Sequence, residues 1–244
     1  MTGLWLAIDT ATDVASVAVG PPPATAAAAD VRGARRHAAE ILRLTDFVLR
    51  RAGAGVADLD GIVLGDGPGS FTGLRIGWAA AKGLAQEPRP DLVRIPSLMA
   101  WAAAAAQRVG PAPIAVCCDA LRGQVYGAMY RIHPHRVETL LAPTLGTMAE
   151  LARAAAEQPA LVIGDGAVHY ADASTAWSGL APIGWEALPP SAPLLLALQG
   201  REGAGEPITD PLTAEPVYGR PAEAQARWEA AHGRPLPDPS GRPR

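Results

Sequence analysis

Residues 4–19 read LWLAIDTATDVASVAV: a short apolar run, an aspartate, a small polar turn, then a second run with valines at two- and three-residue spacing. That pattern spells a strand, a turn and a returning strand. It recurs at residues 114–130, IAVCCDALRGQVYGAMY, where the first run ends in Asp119 and residues 120–124 make the turn. The order of elements around each hairpin repeats as well, β-β-(β)-α-β-α. Two similar α/β halves facing each other across a cleft, with sheets flanked by helices, are the economical architecture. The division is expected near Gly110-Pro111, giving residues 1–109 and 110–220. Residues 221–244 should add a last helix, Ala222–Ala231, and a disordered proline-rich tail.

Working outward from the first hairpin, residues 33–52 have helical periodicity. Ala34, Ala38, Ile41, Leu42, Thr45, Val48, Leu49 and Ala52 share the face expected in the core. His37, Glu40, Leu44, Phe47 and Arg51 lie off it. Large apolar side chains among charged ones suit either a partner surface or a helix buried on two sides. Leu59–Leu64 reads as a buried strand, and residues 65–77 follow it as GDGPGSFTGLRIG. The helix expected over Thr72–Gln86 has only Arg75, Lys82 and Gln86 on a polar stripe. Gly73, Gly77 and Ala80 lie on another side. A helical glycine costs about 1 kcal/mol relative to alanine, so a neighbouring backbone should come close there. Ser97 is the expected N-cap of a helix over Leu98–Arg108, and Thr147 of one over Met148–Ala156. A strand at residues 160–163 precedes Gly164-Asp165-Gly166. A further helix is expected over Ala192–Gln199, and residues 214–218 read as extended.

Composition narrows the function classes. The net charge is −3 and Lys82 is the only lysine, a balance that argues against autonomous RNA binding. Cys117 and Cys118 are adjacent, so in a strand they point to opposite faces and do not pair. They read as buried thiols in a reducing cytosol, which places the protein in the cytoplasm. No secretory leader and no membrane span is expected.

The glycine-rich stretch fails both phosphate-binding patterns. Leu74 stands where a P-loop needs lysine, and Thr72 where a dinucleotide fingerprint needs its third glycine. The helix start still offers free N–H groups to an anion, and Ser70 or Thr72 can cap it. Asp9 and Asp119 are the carboxylates that would face a metal–nucleotide in the cleft. Their turns suit polyphosphate poorly, because Asp9-Thr10-Ala11-Thr12 has no glycine and Leu121-Arg122 is bulky. Hydrogen bonds from Asp9 and Asp119 to their own turns are the simpler role. His37 has Ile41 at i+4, and no other histidine has a companion at ligand spacing, so no metal site is expected. No nucleophile with an assignable base is present.

Five stretches occur in an order that resembles the TsaB (YeaZ) family: residues 6–20, LAIDTATDVASVAVG; 65–86, GDGPGSFTGLRIGWAAAKGLAQ; 95–102, IPSLMAWA; 119–130, DALRGQVYGAMY; and 214–220, AEPVYGR. The resemblance covers about residues 4–220, and GPGSFTGLR is its most specific part. It implies the fold of the actin, Hsp70 and sugar-kinase group, with two RNase-H-like subdomains and mixed sheets. It also implies a non-catalytic scaffold for the catalytic subunit TsaD, which the ATPase TsaE joins. That complex places a threonylcarbamoyl group, from its adenylate, on N6 of adenosine 37 in tRNAs that read codons starting with A. ATP and a metal would belong to the assembled complex, and tRNA would be reached indirectly. The missing partner of His37 fits a relative of TsaD without TsaD's paired metal-binding histidines.

The family's association surface is built from its first two helices, here 33–52 and 72–86. On that surface the partner interface is expected to include His37, Leu44, Phe47, Ser70, Phe71, Thr72, Gly73, Arg75, Gly77 and Trp78. Gly73 and Gly77 would allow close approach of a partner helix; Leu44, Phe47 and Trp78 would be apolar anchors, and Arg75 would work at the rim. The same face would form a homodimer when TsaD is absent. The alternatives are an active small-molecule kinase or ATPase of the same fold, which needs Asp9 or Asp119 on a metal–nucleotide, and a metalloprotease, which lacks any H-E-x-x-H.

Overall fold

The computed structural model describes residues 3–86, 89–219 and 231–233. Most of the expected last helix and all of the tail at 234–244 lie outside the described residues. The first half contains β1 (Trp5–Asp9), β2 (Val14–Gly20), β3 (Ala27–Arg32), α1 (His37–Arg51), β4 (Gly61–Gly65), α2 (Phe71–Leu84), β5 (Asp91–Ile95) and α3 (Ser97–Val109). The second contains β6 (Pro113–Asp119), β7 (Val125–Ile132), β8 (Val137–Gly146), α4 (Met148–Ala154), β9 (Leu161–Ile163), α5 (Asp165–His169), α6 (Ala171–Ser178) and α7 (Ser191–Leu198). A short strand, β10 (Glu206–Pro207), returns to the edge of the first sheet.

The strand orders are β10-β5-β4-β1-β2-β3 and β8-β7-β6-β9. In each, an antiparallel meander of three strands is joined by a parallel strand: β4 beside β1, and β9 beside β6. Both halves thus carry the 3-2-1-4 order of an RNase-H-like unit in a mixed sheet.

The last helix of each half covers the other half's sheet. α3 packs on β6 and β7, whereas α7 packs on β1 and β2, and the two helices lie against each other between the sheets. One apolar cluster therefore runs from Ala7 and Val63 through Trp101 and Leu195 to Val116 and Tyr130. Trp101 of α3 stacks on Trp185, with ring centroids 4.1 Å apart. Cys117 and Cys118 do point to opposite faces, Cys118 into this inner cluster and Cys117 into the outer one with Leu151 and Trp177. Burial pushes the Cys117 thiol up to about 12, with the Asp165 carboxylate adding to the effect, so this buried sulfur favours the thiol over the reactive thiolate.

Two local expectations need correction. The core row of α1 is His37, Ile41, Thr45, Val48 and Leu49, while Leu42 is 57% exposed and Ala38 is exposed too. The helix proper starts at His37, after a 3-10 turn at Ala34–Arg36, and its inner face meets β2 and β3. Ser97 is the first residue of α3 rather than its cap, and its hydroxyl is spent elsewhere. Residues 214–218 lie in no helix, and pair with no strand among the described residues. By contrast Ser70 and Thr147 cap α2 and α4 as expected, Thr147 through a capping box with Glu150. No helix among the described residues is long and apolar enough to cross a membrane.

Candidate functional site

The glycine-rich stretch and the first hairpin form one unit. Asp9 ends β1, and its Oδ1 accepts from Ala11 N at 3.0 Å and from the Ser97 hydroxyl at 3.0 Å. The same hydroxyl accepts from Gly67 N at 3.1 Å, so one serine ties the turn to the loop after β4. Ser70 N donates to Ala11 O at 2.7 Å, and the Ser70 hydroxyl accepts from Gly73 N to start α2. Four glycines leave room for this contact. A Cβ on Gly65 would strike the Asp9 carboxylate, on Gly69 the Ala11 carbonyl, on Gly73 the Thr10 carbonyl, and on Gly77 the Thr10 hydroxyl. Gly73 and Gly77 therefore do not open α2 to a second chain, as the spacing suggested. The backbone they admit is the chain's own first turn.

Asp9 is 1% exposed. Burial raises its carboxyl above the ordinary range, against the lowering influence of Ser191, Ala11 N and the Ser97 hydroxyl. Oδ2 makes no hydrogen bond of good geometry among the described residues, although Ser191 at the start of α7 stands near it. A carboxylate that faces a metal–nucleotide must be reachable, and this one is sealed beneath its own loop. The residues present do not fit a metal-bound nucleotide at the first hairpin.

The second hairpin uses the same local bond: Asp119 Oδ1 accepts from Leu121 N at 2.8 Å. Both aspartates thus tie down their own turns. Asp165 of the second Gly-Asp-Gly accepts from Asp119 N at 2.9 Å, and His169 Nδ1 lies 3.8 Å from Asp119 Oδ2. Leu121 and Arg122 both hold positive φ, 63° and 56°. Among the described residues, no group of three or more His, Cys, Asp or Glu side chains is gathered to hold a metal ion.

The residues expected at a partner interface separate into two sets. His37 is fully buried in the core row of α1, and Gly73, Gly77 and Trp78 are buried against their own domain. These four do not lie on an open face. The inward face of α1 is centred nearer to His37 than the periodicity suggested. The His37 ring nitrogens have no hydrogen-bond partner among the described residues. Phe47 is 53% exposed, Leu44 is half-buried, and Thr72 and Arg75 are exposed. Ser70 and Phe71 are half-buried at the start of α2. α1 and α2 pack side by side, with Leu44, Ile76, Ala80 and Leu84 half-buried in the same apolar cluster. What stays open is a surface with Phe47 on α1 and with Thr72, Ala79 and Gly83 on α2.

A strap that the sequence reading left without a role borders this surface. Residues 214–219 run along α2 from its end to its start. Lys82 Nζ donates to Ala214 O at 2.6 Å, and the Phe71 and Tyr218 rings lie 4.5 Å apart. Arg75 sits over Phe71 and Lys82 over Trp78, at 5.4 and 5.9 Å from the ring centroids. Phe71, Arg75, Trp78 and Lys82 recur at helical spacing, so one stripe of α2 is the strap's bed.

Comparison with known proteins agrees with this architecture. Residues 31–176 match the family model described as TsaD, tRNA N6-adenosine threonylcarbamoyltransferase. The Escherichia coli tRNA threonylcarbamoyladenosine biosynthesis protein TsaB is 34% identical over 57% of this chain and 63% of its own length. The Bacillus subtilis protein of the same name is 29% identical over 80% of this chain and 84% of its own. With the Haemophilus influenzae TsaB the match covers 51% of that relative, so two of these relatives are spanned over less than two thirds of their length. A Pseudomonas aeruginosa crystal structure, of a protein described as similar to peptidase YeaZ, superposes with a TM-score of 0.74 at 26% identity, covering 89% of this chain and all of that one. The match to the family model, which takes in more than half of the chain, and the relatives together place this chain in the TsaB (YeaZ) family, within the wider family that the TsaD model describes.

Proposed function

We propose that this chain serves tRNA threonylcarbamoyladenosine synthesis as a non-catalytic subunit that binds the catalytic subunit TsaD through the open face of α1 and α2. The observation that carries the reading is the sealed Asp9: the fold has the two hairpins of a nucleotide-cleft protein, and the first is closed by the chain's own glycine-rich loop. The names of its relatives supply the pathway, and the wider family supplies the partner. On this reading Leu44 and Phe47 anchor the contact, while Thr72 and Arg75 flank it. Ser70 and Phe71 act from behind, by fixing the start of α2. TsaE joins the assembled complex, tRNA is held by the partner, and a second copy of this chain takes the face when TsaD is absent.

The test is co-expression with the TsaD of the same organism, followed by size-exclusion chromatography with light scattering. A heteromer that forms with the wild-type chain and is lost with Phe47→Asp supports the reading. An isolated chain that binds ATP, and stops doing so as Asp119→Ala, with no heteromer, would replace it with the kinase reading.

A further inference from the structure

We propose that residues 214–219 form a detachable strap over α2, and that the buried Asp66 carboxylate is its latch. Among the described residues the strap makes no ladder of hydrogen bonds to a sheet or helix. Discrete points hold it. Val217 N donates to Asp66 O at 3.0 Å and lies 3.3 Å from Asp66 Oδ1. Lys82 holds Ala214, and the Tyr218 ring meets Phe71. At the far end a Cβ on Gly219 would strike the Tyr126 ring of β7, so the strap reaches from the first half to the second. Gly67 is cut back to match, because a Cβ there would meet the Val217 carbonyl at 2.6 Å. Few contacts, no ladder and a fitted seat describe a segment that opens as a unit below the global unfolding free energy.

The latch is an expensive one. Asp66 is 6% exposed, and the cation beside it among the described residues is Arg94, whose Nη1 lies 3.7 Å from Oδ2. That guanidinium is already committed to Glu206, with Nη2 at 2.7 Å from Oε2. Arg94 on β5 and Glu206 on β10 are the charges that act on Asp66. The strap's Glu215 and α2's Arg75 act on Tyr218 instead, and Lys82 acts on Asp210. Burial therefore prevails and raises the Asp66 carboxyl to about 6, with Arg94 opposing. Opening the strap returns that carboxyl to water and towards its ordinary value. The closed strap binds a proton more tightly than the open one, so closure is favoured below the ordinary carboxylate range and weakens as pH rises through about 6. Release would bare Phe71 and the stripe behind it, next to the open face of α1 and α2.

The experiment is hydrogen exchange by mass spectrometry on the full chain from pH 5 to 8, corrected for the chemical exchange rate. It reads peptides containing Val217 and residues 71–82, with β1 as the reference for global unfolding. Strap protection should fall by about tenfold or more across that range, while β1 keeps its protection. Asp66→Asn should hold the strap closed at every pH. Lys82→Met should loosen it at every pH and leave the pH slope intact, which keeps the proposal testable if Asp66→Asn does not fold. A strap that exchanges only with β1 would show that it does not detach. A pH slope absent in the wild type, or unchanged in Asp66→Asn, would remove Asp66 as the latch.

Discussion

In the first half, Asp9 holds Ala11 N at 3.0 Å and is 1% exposed. In the second, Asp119 holds Leu121 N at 2.8 Å, and its side chain keeps 21% of its surface. The local bond is the same, so each turn alone accounts for its aspartate. What differs is the loop that follows the parallel strand. Both loops begin Gly-Asp-Gly, but β4 pairs with β1 so that Gly65 lies against the Asp9 carboxylate, and Gly69, Gly73 and Gly77 extend the contact. In the second half Gly164 lies against the Cys117 carbonyl and Gly166 against Asp119 N. No further run of glycines follows, and the carboxylate stays at the surface. Two copies of one hairpin can thus be driven apart by one glycine-rich loop.

The largest effect should come from breaking the seal itself. Gly73→Val drives a side chain into the Thr10 carbonyl, a backbone atom that cannot swing away. We expect a loss of about 4 kcal/mol or more, or no folded protein, by urea unfolding. In the other half Gly123, with φ 79° and open space above it, is the contrast. There Gly123→Ala should cost only about 1 kcal/mol, from the left-handed backbone alone. Similar losses at the two positions would mean that the seal is softer than the packing indicates.

The aspartates come next. Asp9→Ala leaves two buried donors, Ala11 N and the Ser97 hydroxyl, without their acceptor, at about 2–3 kcal/mol. Asp119→Ala loses a bond at the surface, where water replaces it, and should cost about 0.5–1 kcal/mol. Asp9 should also make stability depend on pH. Burial raises Asp9 in the folded state, so the native chain binds that proton more tightly than the unfolded chain. Its contribution is fully present below the ordinary carboxylate range and declines as pH rises above it. Asp9→Asn keeps an acceptor for Ala11 N without a titrating group. Its stability should gain on the wild type as pH rises above the ordinary carboxylate range, which urea midpoints measured across pH will show.

The repeat and the caps at Ser70 and Thr147 were legible because they depend on neighbours in the chain: an apolar run ending in aspartate, a serine before a helix, Thr147 with Glu150 three residues on. The side of a helix that faces inward was less legible. His37 belongs to the row of Ile41, Thr45 and Val48 and Leu42 falls outside it, because the inward face is turned by a fraction of a residue step from the one the periodicity marked out. The glycines show the limit most clearly. Their positions in α2 announced that something comes close, since a helix tolerates them at a cost. What comes close is Thr10, some sixty residues away, and only the parallel pairing of β1 with β4 brings it there. The strap was hidden for the same reason: Lys82 finds Ala214 across 132 residues.

Gly83 sharpens the comparison between the inner and outer sides of α2, and the expected change is the smallest. It lies within the helix, is exposed, and a Cβ there would meet nothing within 4 Å. Gly73 and Gly77 are explained by Thr10; no contact among the described residues explains Gly83. Gly83→Ala should therefore stabilise the isolated chain, by a few tenths to about 1 kcal/mol, because alanine restricts the unfolded chain and favours helix. Gly83→Trp should fold equally well, since the position is exposed and its Cβ would meet nothing within 4 Å among the described residues. The two substitutions separate stability from association: if α1 and α2 form the partner face, tryptophan at this position blocks a docking helix and weakens the complex with TsaD, while alanine barely changes it. A heteromer that forms unaltered with Gly83→Trp, but not with Phe47→Asp, would confine the contact to the α1 side of the face and leave Gly83 without a physical reason.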